Sequence, residues 1–136
     1  MKTASFFTFS EPGSIGISLG KPRGMTVRCG FYRDFAPRRE MLRMPYQVYR
    51  DVYFREILGP LDPRQVRDDL QLLAGEREPV MLCFERPPFH ANNWCHRRMV
   101  AEWFSDTLDL DVSEIDPVAA LDSLDQDREQ FRFDLG

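Results

Sequence analysis

The order of elements along this chain predicts an α/β fold, a single compact domain with a mostly parallel or mixed sheet flanked by helices. Three observations carry that prediction. Residues 79–85 (PVMLCFE) form a short apolar run bounded by Pro79 and Pro87-Pro88. Such a run reads as a strand buried on both faces, the pattern of a parallel sheet. Residues 62–75 carry helix signals at both ends: Asp62 as N-cap, Pro63 at the first helical position and Gly75 past the last turn. Strand-like and helix-like segments also alternate along the chain, as βα units require.

In chain order, residues 5–9 (SFFTF) and 15–19 (IGISL) read as strands separated by a Pro12-Gly13 turn, which leaves room for mixed pairing in an N-terminal hairpin. Residues 20–24 (GKPRG) are a loop with two cations. Residues 25–32 (MTVRCGFY) alternate partly, as a third strand would. Residues 33–44 are basic and irregular, with Pro37 opening a short helix and Pro45 ending it. Over 46–59, Tyr46, Tyr49, Val52, Tyr53, Ile57 and Leu58 recur at three- and four-residue steps, and Gly59-Pro60 supplies a stop. After the 79–85 strand, Asn92 or Asn93 caps a helix that runs to about Leu108, and residues 108–115 (LDLDVSEI) form a last strand. Residues 1–116 are thus expected to form the α/β domain, and 117–136 an acidic C-terminal tail with one short helix.

Composition narrows the function classes. A hydrophobic fraction of 43% with 11 Phe is enough for a core and excludes global disorder. No apolar run approaches the roughly 20 residues that cross a bilayer, so no membrane partner is expected. The opening residues lack the apolar core and small-residue cleavage site of a signal peptide, and three cysteines cannot all pair, so a cytoplasmic location is expected. The net charge of -4 is unevenly spread. Residues 21–67 hold eleven Lys/Arg against five acids, whereas 106–136 hold ten acids against Arg128 and Arg132. A basic surface that meets an anion is one reading of that asymmetry, and ordinary solvated faces are the other.

Chemistry concentrates between Cys83 and His96, which enclose two of the three cysteines and both histidines. A strand-to-helix junction is where α/β proteins place ligands. On a helical wheel Val100, Ala101, Phe104 and Leu108 form the sheet-facing stripe, and Arg97 lies on its line. A guanidinium there needs an anion: the carboxylate of Glu85 is the internal candidate and a bound phosphate the external one. Arg98 is expected to face away, beside Glu102. Cys95 falls in the first helical turn, where the dipole favours a thiolate, with His96 and Arg97 adjacent. Cys83, inside the apolar strand, is expected to be core. Trp94 is a packing residue or a platform for a ligand ring. A metal site of Cys83, His90, Cys95 and His96 is the competing reading. Its C-x11-C-H spacing matches none of the common paired-ligand zinc patterns, so no metal is expected.

The run MLCFE, followed after a gap by CHRRMVAEWF, resembles the C-terminal signature of the domain-of-unknown-function family 488: a strand ending in Cys-x-Glu, then Cys-His-Arg at the head of a helix. Cys83, Glu85, Cys95, His96 and Arg97 match that pattern. A basic stretch (YRDFAPRRE) before a tyrosine-rich helix (YQVYRDVYFREIL) is similar in order. The resemblance is specific over 79–104 and loose over 15–75. The loop ERPPFHANNW is longer than the family's usual gap. The resemblance implies a compact α/β domain and brings no established activity.

Three functions are compatible with these residues. The leading expectation is an anion-binding domain in which Arg97, Trp94, Lys21, Arg23, Arg33 and Arg38 hold a nucleotide or nucleic-acid phosphate. The second is a cysteine-dependent enzyme with Cys95 as nucleophile and His96 and Glu85 as acid–base partners. The third is a non-catalytic interaction protein whose acidic tail engages a partner. The sequence identifies neither a cofactor nor an oligomeric state.

Overall fold

The strand Val80–Cys83 occupies the middle of the molecule. In the computed structural model, which describes residues 1–24, 29–85, 89–90 and 92–115, five strands form one sheet in the order β3-β2-β4-β1-β5. They are β1 (Lys2–Ser5), β2 (Ser14–Gly16), β3 (Gly30–Phe31), β4 (Val80–Cys83) and β5 (Ser113–Glu114). Every pairing is parallel, with β4 flanked by β1 and β2. All four β4 side chains are buried. They alternate between faces as a two-residue period requires: Met81 and Cys83 join the larger core, Val80 and Leu82 the smaller one.

The α/β class holds, and the mixed hairpin does not. The segments on either side of Pro12-Gly13 do not pair with each other; each lies parallel against β4. β1 also starts earlier than the phenylalanines indicate, because residues 2–5 supply the register with Val80–Cys83 and the chain turns back at Thr8.

Two helices follow α/β logic directly. α2 (Pro63–Ala74) is capped by the Asp62 side chain, which accepts from the Arg64 amide at 3.0 Å, and it ends at Gly75, whose φ is 67°. α3 (His96–Leu108) buries Met99, Val100, Ala101, Trp103 and Phe104 and ends at Asp109 in the left-handed region, φ 55°. Cys95 stands at its N-cap; Asn93 instead closes a small turn by exchanging backbone hydrogen bonds with His90.

The tyrosine-rich helix departs from regular α geometry. α1 (Tyr46–Val52) continues as a π-helical segment, Tyr53–Leu58, closed by the Gly59 amide on the Phe54 carbonyl at 2.9 Å. The wider turn matches the sequence. Tyr49 and Tyr53 are four residues apart, but the next fully buried side chain, Leu58, comes after five, the π-helical step. The extra residue keeps Leu58 on the same core side as Tyr53, whose hydroxyl donates to the Phe35 carbonyl at 2.7 Å.

Strand order explains the layers. Parallel connections are right-handed, so connections running the same way along the sheet lie on the same face. β3 to β4 and β4 to β5 both run towards the β5 edge, and the buried residues of α1, α2 and α3 share one core with Ile15, Met81 and Cys83. β1 to β2 runs the opposite way, and Phe6 and Phe9 of that connection pack on the other face with Phe31 and Phe84. β2 to β3 also runs that opposite way, with Cys29 packed on the second face. The connections leaving the neighbours β2 and β4 thus run in opposite directions, which opens a crevice at their carboxyl ends.

Tyr53→Phe leaves a buried carbonyl without its donor. It is expected to lower stability by about 1–3 kcal/mol, read as a drop in the urea midpoint. An unchanged midpoint would show that the Phe35 carbonyl finds another partner.

Candidate functional site

The carboxyl ends of β2 and β4 and the head of α3 enclose a cleft of about 440 Å³. Ser18 and Leu19 line it after β2, Cys83, Phe84 and Glu85 at the end of β4, and Cys95 and His96 at the start of α3. Tyr49 and Trp94 form an aromatic wall, with ring centroids 4.5 Å apart. Trp94 also meets Tyr46 edge-on at 5.5 Å and faces a second, smaller cleft on the other side of Cys95.

Cys83 and Cys95 come together at the floor, their sulfurs in bonding contact and their Cα atoms 7.2 Å apart. Both side chains are buried. Cys83 is thus both a core residue, as its strand predicts, and part of the site. Its sulfur also lies 3.2 Å from Glu85 Oε2 and 3.6 Å from Arg97 Nη1. Once the pair is reduced, the Cys83 S–H can donate to that carboxylate; a disulfide sulfur has no hydrogen to donate.

His96 is buried behind the sulfurs. Its Nε2 is 2.7 Å from the Ile17 carbonyl, and its Nδ1 is 3.8 Å from Cys95 Sγ and 3.9 Å from Cys83 Sγ. A carbonyl only accepts, so Nε2 carries the proton. Burial, reinforced by the neighbouring Arg97 charge, pushes the imidazole pKa down to about 4 against the pull of the Ile17 carbonyl. The ring is neutral, and its Nδ1 lone pair faces both sulfurs. An imidazole held in this way orients a thiol by accepting its proton in a hydrogen bond; it is too weak a base to store that proton.

Arg97 lies on the sheet-facing line of α3 and is fully buried. The carboxylate that neutralises it belongs to Glu114 of β5, not to Glu85. Nε donates to Oε1 at 2.9 Å and Nη2 to Oε2 at 3.0 Å, while Glu85 contributes only its backbone carbonyl, at 2.6 Å from Nη2. Arg98 does not face away beside Glu102. It reaches the sheet edge, donating to Thr3 Oγ1 and the Val112 carbonyl, both at 2.9 Å. Glu102 pairs with Arg50 instead, at 2.6 Å. The reason is the crossing of α3 over β1: both arginines of its first turn reach the β1–β5 edge.

The basic residues upstream are not brought to the cleft. Lys21, Arg23 and Arg33 are exposed, Arg38 pairs with Glu40 and Glu56, and none of the four lines it. The C-terminal tail, residues 117–136, lies outside the described residues. So do 25–28 of the expected third strand, of which Gly30–Phe31 remains as β3.

Spacing in the sequence argued against a metal, but the fold gathers three of the four weighed ligands. Cys83, Cys95 and His96 place one donor atom each within 4.8 Å of one another. His90 instead faces the smaller cleft, with its Nδ1 accepting from the Asn92 amide at 3.2 Å. Two residues of the site escaped the sequence reading. Glu114 carried a signal, being an acid two positions after Val112 in a segment expected to be a strand and therefore on the same side. Tyr49 gave no sign beyond its place on an apolar stripe. Among the described residues, no helix is long and apolar enough to cross a membrane. Comparison with protein-family models, with curated proteins and with solved structures finds no match to this chain.

Removing one member of a buried ion pair strands the other's charge. Glu114→Ala is expected to lower stability by roughly 3 kcal/mol, and the double variant Arg97→Met with Glu114→Leu by less. Thermal unfolding of both variants checks this. A double variant as unstable as the single one would mean that the cost lies in packing and not in the stranded charge.

Proposed function

We propose that the cleft is the active site of a thiol-dependent enzyme, a thiol–disulfide exchanger in which Cys95 meets the substrate and Cys83 resolves it. The observation that carries the reading is the pair of sulfurs in bonding contact at the crevice floor, faced by the Nδ1 of a neutral histidine. Weighing against phosphate capture by Arg97 is the Glu114 carboxylate, which already holds that guanidinium. The residues that resemble the domain-of-unknown-function family 488, Cys83, Glu85, Cys95, His96 and Arg97, all meet here, which supports placing the activity on them.

Cys95 is the better attacking group. It stands at the N-cap of a 13-residue helix, whose dipole favours the thiolate, and it borders both clefts. Cys83, at the end of the central strand, sits between the Glu85 carboxylate and Arg97. In the first step the Cys95 thiolate attacks one sulfur of a substrate disulfide, and the departing thiolate takes up the proton that Cys95 gave up. In the second step Cys83 releases its proton towards Glu85 and attacks the Cys95 sulfur, freeing the second substrate thiol. One substrate disulfide is reduced to two thiols while the enzyme dithiol is oxidised to a disulfide. Leu19, Pro37, Leu42 and Phe84 make the cleft walls largely apolar, which suits an uncharged or peptidic disulfide.

In a Cys29→Ser background, the reduced protein mixed with oxidised glutathione should release two thiols for each disulfide consumed. Its initial rate at neutral pH should be roughly tenfold or more above that of a free thiol. Cys83→Ser should stop at a glutathione adduct on Cys95, found by mass spectrometry, and Cys95→Ser should form none. A Cys95→Ser protein that exchanges as fast as its parent would sink the proposal.

A further inference from the structure

We infer that, when reduced, the same floor is a binding site for one divalent transition-metal ion of the zinc class, held by Cys83 Sγ, Cys95 Sγ and His96 Nδ1. This goes beyond thiol exchange and needs only the residues it shares with that reading.

Four observations carry it. The three donor atoms lie within 4.8 Å of one another and are all buried, and reduction of the two joined sulfurs frees both as ligands beside the His96 nitrogen. Two thiolates and an imidazole are a zinc donor set, and three protein ligands leave the fourth position for a water or a substrate atom. The His96 ring is turned the right way: its Nε2–H is held by the Ile17 carbonyl at 2.7 Å, the outer-shell bond that ligating histidines make, and this leaves Nδ1 free for the ion. Finally, the Cα atoms of Cys83 and Cys95 are 7.2 Å apart, which leaves room for two thiolates on one zinc, each at about 2.3 Å from it and roughly 4 Å from one another.

The charges are compatible. The two thiolates offset the ion, and Arg97, 3.6 Å from Cys83 Sγ, is already paired with Glu114. The Glu85 carboxylate, 3.2 Å from Cys83 Sγ, lies beside the donors at the cleft. It is placed to hold a water at the fourth position. Because the ion and the disulfide compete for the same two sulfurs, oxidation would expel the metal.

The test uses the full chain, reduced and free of metal, in the Cys29→Ser background, titrated first with Co²⁺ and then with Zn²⁺. Expected are one Co²⁺ per chain with the intense visible bands of a tetrahedral site and a sulfur-to-cobalt band in the near ultraviolet, all lost on displacement by one Zn²⁺. Cys83→Ser and Cys95→Ser, each checked for folding by circular dichroism, should weaken Zn²⁺ binding by about 100-fold or more. Glu85→Gln keeps the trio, and should retain the sulfur band while weakening binding roughly tenfold. Absence of the sulfur-to-cobalt band, or unchanged binding in folded Cys95→Ser, overturns the inference. Glutathione exchange by the same samples separates the two claims: exchange without metal binding removes this inference alone, and metal binding without exchange removes only the enzymatic reading.

Discussion

The buried guanidinium of Arg97 is the constraint on which the geometry around the cleft depends. Taking such a charge out of water costs several kcal/mol unless every donor finds an acceptor. Here Glu114 takes two of its hydrogen bonds, the Glu85 carbonyl takes a third, and Cys83 Sγ lies in reach of the remaining amine. Those acceptors come from β5, from the segment leaving β4, and from β4 itself. One side chain at the head of α3 thus ties the end of β4 and β5 together at the carboxyl edge. Arg98 repeats the device one residue later on Thr3 and Val112, and Thr3 closes the network by donating to Glu114 at 2.7 Å. Where α3 begins, and so where Cys95 and His96 stand, is set by this polar clamp together with the apolar stripe behind it.

The clamp acts at the place where the topology already opens the sheet. β2 and β4 are neighbours whose following connections run in opposite directions along the sheet, which opens a crevice between their ends. His96 bridges that gap by donating to Ile17, the residue after β2, while its other nitrogen faces the sulfur at the end of β4. A single imidazole therefore ties the two sides of the crevice together and orients the cysteines. The π-helical segment contributes from behind: it sets Tyr53 edge-on against His96, with centroids 5.4 Å apart, and stacks Tyr49 on Tyr53 to line the cleft.

What the sequence shows of this follows local physics. The buried central strand, both ends of α2 and the sheet-facing position of Arg97 are legible because each depends on a periodicity or a cap within a few residues. The identity of Arg97's counter-ion was not, because Glu114 and the Glu85 carbonyl compete from different parts of the chain and only the folded register decides between them. Arg98 went the same way: a neighbour four residues along the helix is a local guess, and tertiary acceptors overrode it. The convergence of Cys83 and Cys95 lies beyond spacing rules altogether. One is at a strand end and the other at a helix head, and the docking of α3 on the sheet, not any motif, sets their distance.

The surroundings of Cys83 bear on what state the site prefers. A carboxylate oxygen at 3.2 Å stabilises the sulfur only while it carries a proton or binds a cation, and a guanidinium amine at 3.6 Å stabilises it most as a thiolate. A disulfide sulfur is neutral and without a proton, so Glu85 gains a hydrogen bond only from the thiol and Arg97 an opposite charge only from the thiolate. The cysteines, joined at their sulfurs in this structure, thus stand between two groups that answer different reduced forms of Cys83. Such surroundings suit a pair that changes state, as the proposed exchange requires.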